Sequence, residues 1–316
     1  MRRLLLPVAF VWLGAGCGEA PKRSLLEDQT RRVTPLPACV QYLPARRSAT
    51  VGTMRNLREE QVLKLVFPQF DEEKRALPRG AVACTGRAVF DDPLLAGGTP
   101  AHGPWPFVEQ DGDVLYGSGG DHLKIVWLKV LTFADGTVGG PLAIVRSNER
   151  FGEVLAVGDY RGRADRVQLA TQRMGSDLLV TAQEDACVGR KPTEPCENRL
   201  TVLLPRLGKL ARAAEIPIER VAYGSGGEAE KGATGLLEYR LTTSADYKPD
   251  GIHLVEQIKV NDDAGRELRK AELERLFALD DIKGTMAPTE PALWDRVVKI
   301  ESPPPRTPRA PPPRRH

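Results

Sequence analysis

From Val114 onward the apolar residues of this chain recur with a period of two, broken at short intervals by turn-forming residues. That pattern predicts strands with one face buried. Residues 122–133 form a long β-rich run, and Ala134-Asp135-Gly136-Thr137 follows it as a hairpin signal. Leu142 to Val145 and Val154 to Val157 come next, then Val167, Leu169 and Thr171 in alternation. Met174-Gly175-Ser176-Asp177 turns the chain into Leu178, Val180 and Ala182. Leu200, Val202 and Leu204 resume the pattern, Ile216 to Tyr223 reads as a strand bent at Pro217, and Leu237, Tyr239 and Leu241 continue it. Many short strands with no long helices between them predict a mainly β fold: an antiparallel β-sandwich or an up-and-down barrel or meander. A propeller would need at least about 16 strands, more than the pattern supplies.

The last strand pair carries a polar residue on its apolar face. Ile252, Leu254, Ile258 and Val260 share that face with Glu256, Asp262 to Gly265 makes the turn, and Ala271, Leu273, Phe277 and Leu279 share a face of the return strand. With Asn261 opposite Arg266, Leu254 falls opposite Leu273 and Glu256 opposite Ala271, diagonal to Arg269. An ion pair with Arg269 accounts for Glu256 without catalysis.

Residues 38–90 have a different texture and predict a small helical subregion. Asn56-Leu57-Arg58-Glu59 fits a capping box, Val62, Leu65 and Val66 follow at helical spacing, and Pro68 stops the helix. Asp71 is placed to cap a second short helix carrying Lys74 and Leu77, ended by Pro78-Arg79-Gly80. The next stretch, to Gly112, is rich in Gly and Pro and reads as loop, with Trp105 placed to dock it.

The N-terminus is an address. Arg2 and Arg3 precede a ten-residue apolar run, Leu4 to Leu13, and Gly14-Ala15-Gly16 leads into Cys17. The run is about half of what spans a bilayer, so it reads as a secretory signal. Leu13-Gly14-Ala15-Gly16-Cys17 resembles the lipobox of bacterial lipoproteins. The resemblance implies cleavage before Cys17, lipidation of Cys17 and attachment to the membrane through N-terminal acyl chains, of which two suffice for stable anchoring. Gly14 stands where that family usually has Leu, and ordinary cleavage after Ala20 is the alternative. Gly18 follows the cysteine in place of the Asp that marks inner-membrane retention, so the resemblance implies the outer membrane.

These readings divide the chain into a signal peptide (1–16), a lipidated tether (17–37), the helical subregion (38–90) packed with an antiparallel β domain (91–300), and a Pro/Arg-rich tail (301–316) expected to be disordered. With Cys17 set aside, Cys39, Cys84, Cys187 and Cys196 remain, an even number that suits disulfides in an oxidising compartment. Proximity favours Cys39–Cys84 and Cys187–Cys196, worth about 4 and about 2.7 kcal/mol by loop-closure entropy. No C-x2-C pair exists for a zinc site. The net charge of +3 is matched by the tail alone, four Arg against Glu301. Arg2 and Arg3 add two more, which leaves residues 4–300 at −2, no footprint for nucleic acid. The tail suits anionic lipid, an anionic polysaccharide or an acidic envelope partner, the alternative being a solvated tail with no dedicated partner.

No catalytic residue, metal site or cofactor is assigned. Tyr116-Gly117-Ser118-Gly119-Gly120-Asp121 and Tyr223-Gly224-Ser225-Gly226-Gly227-Glu228 repeat one phrase, but Tyr stands where a nucleophile elbow needs Gly, and no P-loop lysine follows. They read as Gly-rich turns. His102, His122 and His253 are not at ligand spacing, and Asp111-Gly112-Asp113 meets Leu115 where a calcium loop needs a third ligand. The expectation is a lipid-anchored cell-envelope protein, periplasmic or surface-facing, that binds or scaffolds. The alternatives are a lipocalin-like carrier of a small apolar ligand and an envelope hydrolase with a dispersed active site.

Overall fold

The computed structural model describes residues 36–42, 59–88, 90–119, 123–147, 151–189, 191, 193–224, 235–280 and 283–298. The signal, Cys17, most of the tether, Asn56, His122, the second Gly-rich phrase from Ser225 and the tail lie outside these residues.

In chain order the elements are β1 (Cys39–Tyr42), α1 (Glu59–Val66), β2 (Ala76–Leu77), β3 (Thr99–Pro100), β4 (Phe107–Val108) and β5 (Val114–Ser118). Then come β6 (Leu123–Leu128), β7 (Leu131–Thr132), β8 (Val138–Ser147), β9 (Phe151–Gly162), β10 (Val167–Met174) and β11 (Asp177–Glu184). The last are β12 (Cys196–Arg206), β13 (Lys209–Gly224), β14 (Leu237–Lys248), β15 (Gly251–Asn261), β16 (Glu267–Asp280), β17 (Thr285–Pro288) and α2 (Leu293–Val297). The fold is mainly β, as the period-two pattern predicts. Among the described residues, fifteen strands join one sheet, and β2 and β4 pair separately.

The sheet is mixed, which corrects the expectation of a purely antiparallel fold. Neighbouring hairpins are antiparallel, but β5 meets β10 and β9 meets β13 in parallel, each through a single residue pair: Ser118 with Ala170 and Val157 with Lys209. Single bridges do not make a continuous ladder, so no barrel closes. Both seams are built on glycines. A Cβ on Gly117 would lie 2.5 Å from the Leu169 Cβ, and one on Gly158 would lie 2.1 Å from the Leu210 carbonyl oxygen. Only a residue without a side chain lets these backbones meet.

The helical subregion is also corrected. Among the described residues of 38–90 only α1 is an α-helix; it buries Val62, Leu63, Leu65 and Val66. Asp71 caps a turn, accepting from the backbone of Glu73 and Lys74 at 3.1 Å, and the chain then pairs Ala76 with Val108 in a short ladder. The Asp side chain favours local turns over helix, and the apolar partner across the ladder decides the competition. Disulfides join Cys39 to Cys84 and Cys187 to Cys196, with Cα separations of 6.0 and 5.2 Å. These are the pairs that proximity favours.

Four apolar clusters are formed among the described residues. The first packs α1 and the stapled segment on Val126, Leu128, Ala143, Val145, Val154 and Val157. The second lies on the opposite face of the same strands, around Trp127, Leu142, Ile144, Leu155 and Tyr160, and reaches Val180 and Leu203. Trp127 and Tyr160 meet edge to face at 5.1 Å. With both faces covered, β6, β8 and β9 are nearly continuous apolar runs, the pattern of strands buried on both sides. The remaining two clusters serve β12 to β17 and α2.

Candidate functional site

Glu256 lies on the buried face of β15, and its oxygens are taken. One accepts from Arg275 Nη2, and the other accepts from the Leu293 backbone N–H at 2.7 Å. Arg275 Nη1 donates to the Glu290 carbonyl at 2.9 Å, and the guanidinium lies 5.3 Å from the Phe277 ring centre. The pair therefore ties the segment before α2 onto β15 and β16. The partner is Arg275, not the expected Arg269, because the register is shifted by two: Leu254 pairs with Arg275 and Glu256 with Leu273. Asp262 explains one step. Its carboxylate accepts from Arg266 N at 2.8 Å, and its own N–H donates to the Arg266 carbonyl at 3.0 Å, so the ladder begins at Asn261–Glu267. A bulge between Val260 and Asn261 adds the other.

The two histidines among the described residues are held by carboxylates. His102 Nε2 is 2.8 Å from Asp113 Oδ1, whose other oxygen accepts from Gln110 N at 2.7 Å. Asp111 turns instead toward Arg75, at 3.4 Å. Asp111 and Asp113 thus serve different partners. His253 Nε2 is 2.9 Å from Asp250 Oδ1. Ser244 and His253 line an open groove of about 470 Å³, but on the exposed face of the sheet, across the backbone from Glu256. Serine, histidine and this glutamate are not brought together. Among the described residues, no cluster of His, Cys, Asp and Glu could hold a metal.

A second buried carboxylate, Asp159 of β9, carries no sequence signal of its own. Its side chain is fully buried, neither oxygen accepts a hydrogen bond, and Arg87 Nη2 stands 3.6 Å away while bonding Asp92 at 2.9 Å. Burial pushes the Asp159 carboxyl up to about 8; Arg87 opposes that rise and Asp92 adds to it. Arg87 is placed by a tight turn in which Ala83 N donates to the Arg87 carbonyl at 2.9 Å, next to the stapled Cys84. Arg87, Asp92, Asp159, Lys209 and Arg212 line a groove of about 410 Å³ over this point. Another groove, of about 550 Å³, lies at the far end of β13 among Tyr223, Glu238, Asn261 and Asp263. There Tyr223 Oη donates to Glu238 at 2.8 Å.

A different kind of surface stands at the start of the fold. In β1, which pairs with β9, Val40 and Tyr42 are exposed. Tyr42 lies opposite Phe151, also exposed, and the rings meet edge to face at 5.9 Å. These three side chains make an apolar strip along an outer strand. No family model matches the chain, nor does any curated protein or solved structure.

Proposed function

We propose that this chain is an exported, lipid-anchored protein of the bacterial cell envelope, held at the outer membrane through Cys17, that binds or scaffolds an envelope partner along β1. The observation that carries the binding reading is the strip of Val40, Tyr42 and Phe151 on an outer strand. Exposed aromatic and β-branched side chains beside a strand with pairing capacity are what strand addition and protein docking use. The disulfides support an oxidising compartment, and the Leu13-Gly14-Ala15-Gly16-Cys17 lipobox supports the anchor. The carrier reading has less support, because Trp127, Tyr160, Leu142 and Ile144 fill the space among the strands where an apolar ligand would sit. The hydrolase reading also has less, because Glu256 is engaged by Arg275 and Leu293.

The test is crosslinking in cells. A photoreactive side chain at Tyr42 is expected to give a discrete adduct with one envelope component, and the same group at Ala264, exposed on the β15–β16 turn, none. Equal background from both positions contradicts the proposal.

A further inference from the structure

The hairpin tip between β12 and β13 carries two costs at one residue. Arg206 pairs with Lys209, so the turn has two residues, Leu207 and Gly208, with φ of 48° and 76°. Such a turn needs positive φ at both positions, which is why Asn-Gly is its usual sequence. A bulky Leu there is strained, and Leu207 is also fully exposed, at 103%. The other non-glycine residues with positive φ among the described residues differ. Arg75 reaches Glu109 and Asp111, and Thr193 sits in the Cys187–Cys196 loop. The turn itself serves the fold, since the Gly208 carbonyl accepts from Val157 N at 3.0 Å. The Leu207 side chain lies wholly in solvent, and it is that exposed leucine, where Asn would suit the turn, that points outward.

Its surroundings indicate toward what. A Cβ on Gly208 would lie 2.9 Å from the Ala38 Cβ, so the tip stands where the chain enters the fold. Leu36, two residues upstream, is 88% exposed. From Cys17 to Leu36 the chain can span at most roughly 65 Å. The exposed Lys209 follows the tip, and Arg206, paired with Asp177 at 3.0 Å, precedes it. An apolar point beside an exposed lysine, next to the end of a tether, has the chemistry of a lipid interface with anionic headgroups.

We propose that the Leu207 tip, with Leu36, inserts into the surface of the membrane to which the chain is anchored, and so fixes which end of the fold faces the bilayer. This rests on the lipid-anchor reading. The test uses the acylated mature chain in vesicles of zwitterionic and anionic phospholipid, with a fluorescent side chain introduced at Leu207 or, in a second sample, at Ala264. Lipid-borne nitroxide near the headgroups is expected to quench the probe at 207 at least about threefold more than at 264, and more with anionic lipid. Equal quenching while the protein floats with the vesicles overturns the tip contact and leaves the anchor standing. A probe at 207 shielded from both nitroxide and aqueous iodide indicates a protein contact and also overturns it. A mature chain that carries no acyl groups and does not float overturns the anchor and the tip contact together.

Discussion

Glu256 and Asp159 are both carboxylates buried in a β-sheet, and they are treated in opposite ways. Glu256 accepts from a guanidinium and a backbone N–H, so its charge is compensated where it stands. Asp159 accepts from nothing, and its neighbouring arginine is 3.6 Å away and shared with Asp92. The first holds two parts of the chain together by bonds that need the charge. The second is covered by a segment fastened elsewhere, by the Cys39–Cys84 bridge and the first apolar cluster. A buried carboxylate with donors keeps its charge and acts as a fastener; one without donors takes up a proton instead and fastens nothing.

The largest effect expected follows from breaking the fastener. Glu256→Ala leaves Arg275 charged and buried without its carboxylate, at a cost of about 3–5 kcal/mol in denaturant unfolding. Amide exchange should rise first in residues 290–297, where α2 loses the Leu293 bond. Removing the cover comes next. Replacing Cys39 and Cys84 together with Ser should cost about 4 kcal/mol, and the Asp159 carboxyl, followed by NMR, should fall toward its ordinary range as water reaches it.

The pH dependence has a definite sign. The Asp159 carboxyl is raised in the folded state to about 8 from an ordinary 3.8. Between those values the folded chain holds a proton that the unfolded chain has released, so this group's contribution is complete below the lower value. It is lost as pH climbs to about 8, a few kcal/mol in all. Asp159→Asn should flatten that slope in unfolding curves taken from pH 5 to 8 and make the protein more stable at the upper end. Glu256→Ala should leave the slope in place. The smallest effect lies outside both regions. Leu207→Asn puts a residue suited to positive φ in the turn and should raise stability by about 1 kcal/mol in the same assay; a loss would show that Leu207 serves the fold itself.

Glu256 was legible in the sequence as the odd residue on an alternating apolar face, and so was the answer that an arginine across the hairpin accounts for it. Which arginine was not legible, because the register depends on how Asp262 closes the turn and on a bulge, and neither leaves a mark in the hydrophobic pattern. Asp159 was illegible for a different reason. Its strand is buried on both faces, so no alternation marks the aspartate as out of place, and its cover comes from a distant segment around Arg87. The Gly-rich phrase at Tyr116 reads locally as a turn. Gly117 instead lies in β5, where its missing side chain admits β10, a use visible only once the two strands are seen together. Short-range signals served better. The Met174 to Asp177 turn stands where its residues place it, and the strand through Pro217 continues across a bulge there, as a residue without an N–H requires.

The mass of the mature N-terminus tests the proposed lipid anchor most directly. Protein recovered from the membrane fraction should begin at Cys17 and carry acyl chains, and Cys17→Ser should release the chain from the membrane. A mature chain that begins elsewhere without acyl groups, or unchanged membrane association of the Ser variant, would contradict it.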